Sequence, residues 1–140
     1  MQIGKNFNLW EFEKSETAKK YGIDNSVKSE SVLNNLTLLV ENVLQPLRDA
    51  INKPIHIGSG YRCPQVNAAV GGVATSQHML GEASDIKVTG MSPYEVAKKV
   101  VELKLPFDQL ILYPTFCHVS HGPRHRRKVL YNKSYTGPKL

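Results

Sequence analysis

The sequence predicts an α+β fold, a small, mostly antiparallel sheet with helices packed on it, and three observations carry that expectation. Apolar residues recur three and four apart at Leu33, Leu36, Leu39, Val40, Val43, Leu44, Leu47 and Ile51, which is the period of one buried helical face. Short apolar runs bounded by Gly, Pro and Ser dominate the last third of the chain, as strands and their turns do. The length of 140 residues, 41% of them hydrophobic and 21% charged, suits one hydrophobic core and hence a single domain spanning 1–140. Helices gathered early and strands gathered late belong to segregated layers, whereas alternating units would give a parallel sheet.

Taken in order, Asn8 followed by Glu11 has capping-box spacing and starts a short helix that turns Leu9, Trp10 and Phe12 towards the core. Ser31 caps the main helix, and Pro46 within it removes a backbone donor, so the helix is expected to bend or tighten there. Pro54 to Gly58 reads as a strand with its isoleucines on one face, closed by the turn Ser59-Gly60. Gly71-Gly72 marks a loop that runs to Thr75-Ser76-Gln77-His78, and Ala83 to Val88 is a second strand, with Glu82 at its entrance facing solvent. Ser92-Pro93-Tyr94-Glu95 combines an N-cap, a first-turn proline and a capping glutamate; it opens a helix with Val96, Val100 and Leu103 inward. Phe107 to Leu112 and Phe116 to Ser120 are strands around Tyr113-Pro114-Thr115, and Lys128 to Tyr131 is the last strand.

Composition excludes whole classes of function. Hydrophobicity is too high for a disordered chain, and the most apolar window, Leu36 to Leu47, is broken by Thr37, Glu41, Asn42 and Gln45, so no membrane span is expected. The opening sixteen residues have neither a basic leader nor an apolar run, so the protein is expected to be cytoplasmic as synthesised, acting at a cell wall only after lysis or release. Cys63 and Cys117 are too few for a disulfide framework and read as thiols, with a bridge between them left open. The net charge of +6 sits wholly in residues 122–140, where Arg124, Arg126, Arg127, Lys128, Lys133 and Lys139 stand without an acid. This basic strand and tail would attract any polyanion. No nucleic-acid reading motif accompanies it, so nucleic acid is not the expected partner.

His78 and Asp85 flank a glycine-bearing loop, and His118 lies in a later strand beside His121. Two imidazoles and a carboxylate form a familiar catalytic zinc set with a fourth position open. Gly81 supplies the chain reversal needed to bring His78 and Asp85 together. Ordinary structural roles for such a scattered set remain open on spacing alone.

The wording around these residues is more specific. Ser59-Gly60-Tyr61-Arg62-Cys63-Pro64, Asn67 to Gly72, Ser76-Gln77-His78-Met79-Leu80-Gly81-Glu82-Ala83-Ser84-Asp85-Ile86, and Phe107-Asp108-Gln109-Leu110-Ile111 with His118-Val119-Ser120 together resemble the zinc D-alanyl-D-alanine carboxypeptidase family. That family includes phage L,D-endopeptidases and shares the hedgehog/DD-peptidase fold. The resemblance runs from about Leu9 to Tyr131. It implies that His78, Asp85 and His118 bind one zinc ion, that Arg62 contacts a substrate carbonyl or carboxylate, and that Tyr61, Ser76 and Gln77 help bind the peptide. The implied activity is hydrolysis of peptidoglycan stem peptides next to a D-amino acid, by carboxypeptidase or endopeptidase action.

One departure stands out. Active members usually carry an acid three or six residues before the third ligand as general base, and here those positions hold Thr115 and Leu112, which cannot take up a proton near neutral pH. Asp108 and His121 are the substitutes in sight. His121 is preferred, because Gly122-Pro123 after it can re-aim its side chain, while an acid at a strand start such as Asp108 commonly bonds backbone groups. Tyr113 has a hydroxyl able to donate to an oxyanion but is no base. Cys117 should face the core, and His56 and His125 the surface or a pocket edge. The missing base also motivates an alternative, a catalytically weakened zinc module that binds a peptide or wall ligand without cutting it.

Overall fold

The computed structural model describes residues 1–140. Its framework is a five-stranded sheet in the order β3-β4-β6-β5-β7, made of β3 (His56–Ser59), β4 (Ala83–Lys87), β6 (Cys117–Ser120), β5 (Gln109–Leu112) and β7 (Lys128–Tyr131). Neighbours pair antiparallel except β5 with β7, which run parallel and join the basic C-terminal segment to the sheet. A separate two-stranded ribbon, β1 (Gln2–Gly4) with β2 (Phe7–Asn8), precedes the helices. The α+β expectation therefore holds.

Alternation divides the large sheet into two faces with different jobs. Ile57, Ile86, Cys117, Val119, Leu110 and Leu112 point to one side and are buried. They join Leu36, Leu39, Val40, Val43, Leu44 and Leu47 from the main helix and Val96, Ala97 and Val100 from α6 (Pro93–Glu102) in one core of 23 residues. Asp85, Lys87, His118 and Ile111 point to the other side and are only partly covered or exposed. The apolar face secures the sheet, and the opposite face is left for chemistry.

The main helix is built in three pieces. Ser29, not Ser31, caps α3 (Glu30–Leu39) by accepting from the Val32 N–H at 3.4 Å. A π-helical turn over Val40–Leu44 follows, and α4 (Gln45–Ile51) continues it with Pro46 in its first turn. The irregularity expected at Pro46, a bend or a tightening, takes the form of a widened turn just before it. The extra residue in the turn lets the Gln45 N–H bond to the Val40 carbonyl, so the ladder re-registers where Pro46 has no donor to give.

The opening helix α1 (Leu9–Glu13) has the full capping box, with the Asn8 N–H donating to Glu11 at 2.7 Å. Of its three predicted core residues only Phe12 is fully buried; Trp10 is 59% exposed. In so short a helix one residue can face inward squarely, and Phe12 takes that place. Helix α2 (Glu16–Tyr21) follows α1 and precedes the main helix, and after α4 the chain enters β3 and then α5 (Pro64–Ala69). Helix α6 keeps its Ser92–Glu95 capping box as expected. Both cysteines are free thiols; burial pushes the Cys117 thiol up to about 12. No helix is long and apolar enough to cross a membrane.

The C-terminal cations are partly committed to the fold. Arg126 forks onto Asp108, with Nε and Nη2 at 2.7 and 3.0 Å from its two oxygens. Arg127 donates to the Leu105 carbonyl and lies over the Phe107 ring. A uniformly solvated charge run is therefore not what this segment becomes.

Candidate metal centre

The site begins with a single turn of 3-10 helix, Gln77–Leu80, capped by the Ser76 hydroxyl, which accepts from the His78 N–H at 3.2 Å. Gly81 ends the turn at φ 75°, and a Cβ there would stand 2.6 Å from the Val32 carbonyl oxygen, so this reversal against α3 requires glycine. The reversal feeds straight into β4 and delivers Asp85. His118 is the cross-strand partner of Asp85 on β6, and partners opposite one another carry their side chains to the same face.

Three ligand atoms meet there. Asp85 Oδ1 lies 3.5 Å from His78 Nε2 and 3.1 Å from His118 Nδ1, and one atom from each of the three residues falls within 4.8 Å of the others. The His78 and His118 rings are edge-to-face with centroids 5.1 Å apart. His78 Nδ1 is 2.7 Å from the Gly60 carbonyl. A carbonyl only accepts, so Nδ1 donates to it, and Nε2 is the ring nitrogen turned towards Asp85. Burial resists ionisation of Asp85, but hydrogen bonds and charge from His118 and His78 overcome it and hold the carboxyl well below its usual range. Two imidazole nitrogens and a carboxylate oxygen converging on one point are a donor set suited to zinc, with a face left open.

Arg62 completes the cluster. Its Nη2 is 3.9 Å from Asp85 Oδ2, while Nε and Nη1 donate to Ser59 and Asn67 at 3.2 and 3.4 Å. The backbone ties the same parts together: the Arg62 N–H donates to the His78 carbonyl, and the Tyr61 N–H to the Phe12 carbonyl. Gly60 packs so tightly on Phe12 that a Cβ would stand 2.7 Å from the Phe12 Cα. The opening helix is thereby a direct brace for the carbonyl that orients His78.

The sequence model of the peptidase M15 family matches residues 5–120, from the turn between β1 and β2 to the end of β6. The chain belongs to the peptidase M15 family. No curated protein matches it.

Not every residue expected at this M15 site reaches it. The Gln77 amide donates to Glu82 and Asp108 at 3.3 and 3.1 Å, so it bridges two internal carboxylates and has no hydrogen left for a peptide. Ser76 is spent as a cap. Tyr61 is half-buried and packs on the core at its α2 end. Asp108 is fully buried, and Arg126 first, with Gln77 behind it, keeps its carboxyl below the usual value; it is structural, as its place at a strand start suggested.

His121 stands apart from the metal cluster. Its N–H continues the ladder to the Glu82 carbonyl, three residues beyond His118 and so about 10 Å along the strand. Its imidazole lines a different cavity with Asn35, Leu38, Glu82 and Pro123, and its ring neighbour is His125, centroids 5.0 Å apart. Burial and His125 lower its pKa, with Asp108 opposing. The Gly122-Pro123 turn does not twist it back, because alternation sends residue 121 to the face opposite residue 118. Glu82, expected in solvent, is 8% exposed, covered by this same cavity and bonded to Gln77.

Sequence reasoning missed the contribution of the β5–β6 turn. Thr115 and Phe116 line the cavity beside Asp85 together with Gly58, Ser59, Ile86 and Lys87, and Tyr113 stacks on Phe116 at 4.4 Å. Burial and the charge of Asp85 raise the Tyr113 hydroxyl, while Arg62 opposes. In the sequence Thr115 reads only as a missing acid, and its place three residues before His118 is the signal that it borders the site.

Proposed function

We propose that this M15 peptidase is a zinc enzyme that hydrolyses peptidoglycan stem peptides next to a D-amino acid. The convergence of His78, Asp85 and His118 with Arg62 at 3.9 Å from Asp85 carries the reading. His78 through Nε2, His118 through Nδ1 and Asp85 through Oδ1 would hold the ion. Zinc in such a set polarises a scissile carbonyl and activates water.

The protein's own residues do the rest. Gly60 fixes the His78 ring and leaves Nε2 free. Ser59 and Asn67 hold the Arg62 fork in place, so its remaining hydrogens face a substrate carbonyl or terminal carboxylate at little entropic cost. Ser76 and Gln77 act through the loop they stabilise, and Tyr61 through the chain direction into Arg62. A net charge of +6 favours approach to an anionic wall.

One observation favours the alternative, a zinc module that binds without cutting. Apart from Asp85, no acid lines the adjoining cavity, and the two usual acid positions hold Leu112, buried in the core, and Thr115. The test is to incubate purified protein with intact sacculi and with defined stem peptides, with and without zinc, and to analyse products by mass spectrometry. Zinc-dependent release of a terminal D-alanine supports the carboxypeptidase, and an internal fragment the endopeptidase. A zinc-loaded protein that yields no product from any wall substrate leaves the binding module.

A further inference from the structure

We infer that Lys87 forms a carboxylate-binding subsite beside the metal centre, selecting peptides that carry a free acid about two residues from the cleaved bond. The inference rests on the peptidase reading and deepens it. Lys87 follows Asp85 by two residues on β4, so the two side chains share the open face of the sheet. Their spacing along the strand is about 6.7 Å, which is also the length of about two extended peptide residues. A peptide laid along β4 with its reacting carbonyl at the cluster therefore passes over Lys87 two residues away.

The space for it is present. A cavity of about 330 Å³ runs from Asp85 to Lys87, walled by Thr115 and Phe116 on one side and by Gly58 and Ser59 on the other. Gly58 contributes no side chain, and even a Cβ there would meet only the Asp85 carbonyl oxygen, at 3.7 Å. Asp85 and Lys87 are the only charged residues in that lining. Asp85 is committed to His78, His118 and Arg62. Lys87 has no ion-pair partner, since none of the protein's salt bridges includes it. Lys87 is exposed and brings an uncompensated positive charge to the lining of this cavity, and the group that fits it is an anion. On a peptide substrate that anion is a carboxylate.

The test compares two stem peptides identical except that the acid in question is free in one and amidated in the other. Affinity is measured by calorimetry and cleavage by mass spectrometry, on zinc-loaded protein. Wild type should prefer the free acid by about tenfold in Kd and KM, and Lys87→Met should bring that ratio close to one, whereas Lys5→Met, an exposed lysine outside the cavity, should keep it. A ratio unchanged in Lys87→Met, or equal losses on both peptides, overturns the subsite. Discrimination without cleavage supports the subsite and overturns the peptidase; cleavage without discrimination does the reverse; neither overturns both.

Discussion

His118 Nδ1 lies 3.1 Å from Asp85 Oδ1 because the two residues are directly opposed on antiparallel strands. Two of the three proposed ligands are thus set by sheet register, and only His78 depends on a loop. The register is pinned on both sides, by Ile86 against Cys117 and Ser84 against Val119, whose side chains face the core. A one-residue slip would send Asp85 inward and Ile86 outward.

Metal content reads this geometry without turnover. The purified protein should hold about one zinc per chain, and His78→Ala, Asp85→Ala and His118→Ala should each lose most of it by elemental analysis. Full occupancy in all three folded variants would remove the assignment.

Gly60→Ala tests the brace behind His78. The new methyl would stand 2.7 Å from the Phe12 Cα, so α1 and the Gly60 carbonyl must separate, at a cost of about 1–3 kcal/mol. Zinc affinity should fall along with the urea midpoint. A loss of stability at unaltered zinc affinity would show that the carbonyl does not orient the ring.

Asp108 supplies a pH dependence of known sign. Its folded pKa lies below the ordinary 3.8, so it contributes stability that is present above that value and is lost as pH falls through the lower, folded one. Asp108→Asn should therefore destabilise by about 1–3 kcal/mol at pH 7, where buried donors lose their acceptor, and by less near pH 3, below the unfolded value. Denaturation curves at both pH values check it; an equal penalty at each would mean that charge plays no part.

His121→Gln should retain zinc and keep kcat within about threefold of wild type on any peptide that is cleaved, since a base must come within a hydrogen bond or one water of the reacting group. A collapse of kcat in a folded, zinc-loaded variant would place the imidazole at the reaction after all.

Thr115→Glu should have the opposite effect. It puts a carboxylate into the cavity that Asp85 lines, at the position where related enzymes usually carry their base. General bases contribute about 10²–10⁴-fold, so a gain in kcat of about tenfold or more is expected even from imperfect placement. No gain, with zinc retained, would show that proton uptake does not limit this enzyme.

Local sequence determined the elements whose causes are local. The Asn8–Glu11 and Ser92–Glu95 capping boxes, the buried stripe from Leu36 to Leu47 and the strand at Lys128 to Tyr131 all form as their residues dictate, because caps and periodicity act within a few residues. The metal set of His78, Asp85 and His118 is legible through the family resemblance of the segments around it, whereas spacing alone leaves structural roles open. What only the tertiary structure decided are matters of partnership between distant segments. Asp108 meets Arg126 and Gln77, Gly60 is pressed on Phe12, and Glu82 is roofed over beside His121. Pro46 has its missing bond absorbed by a π turn. Each is settled by which buried polar group finds a partner across the core, and a chain read one residue at a time does not carry that information.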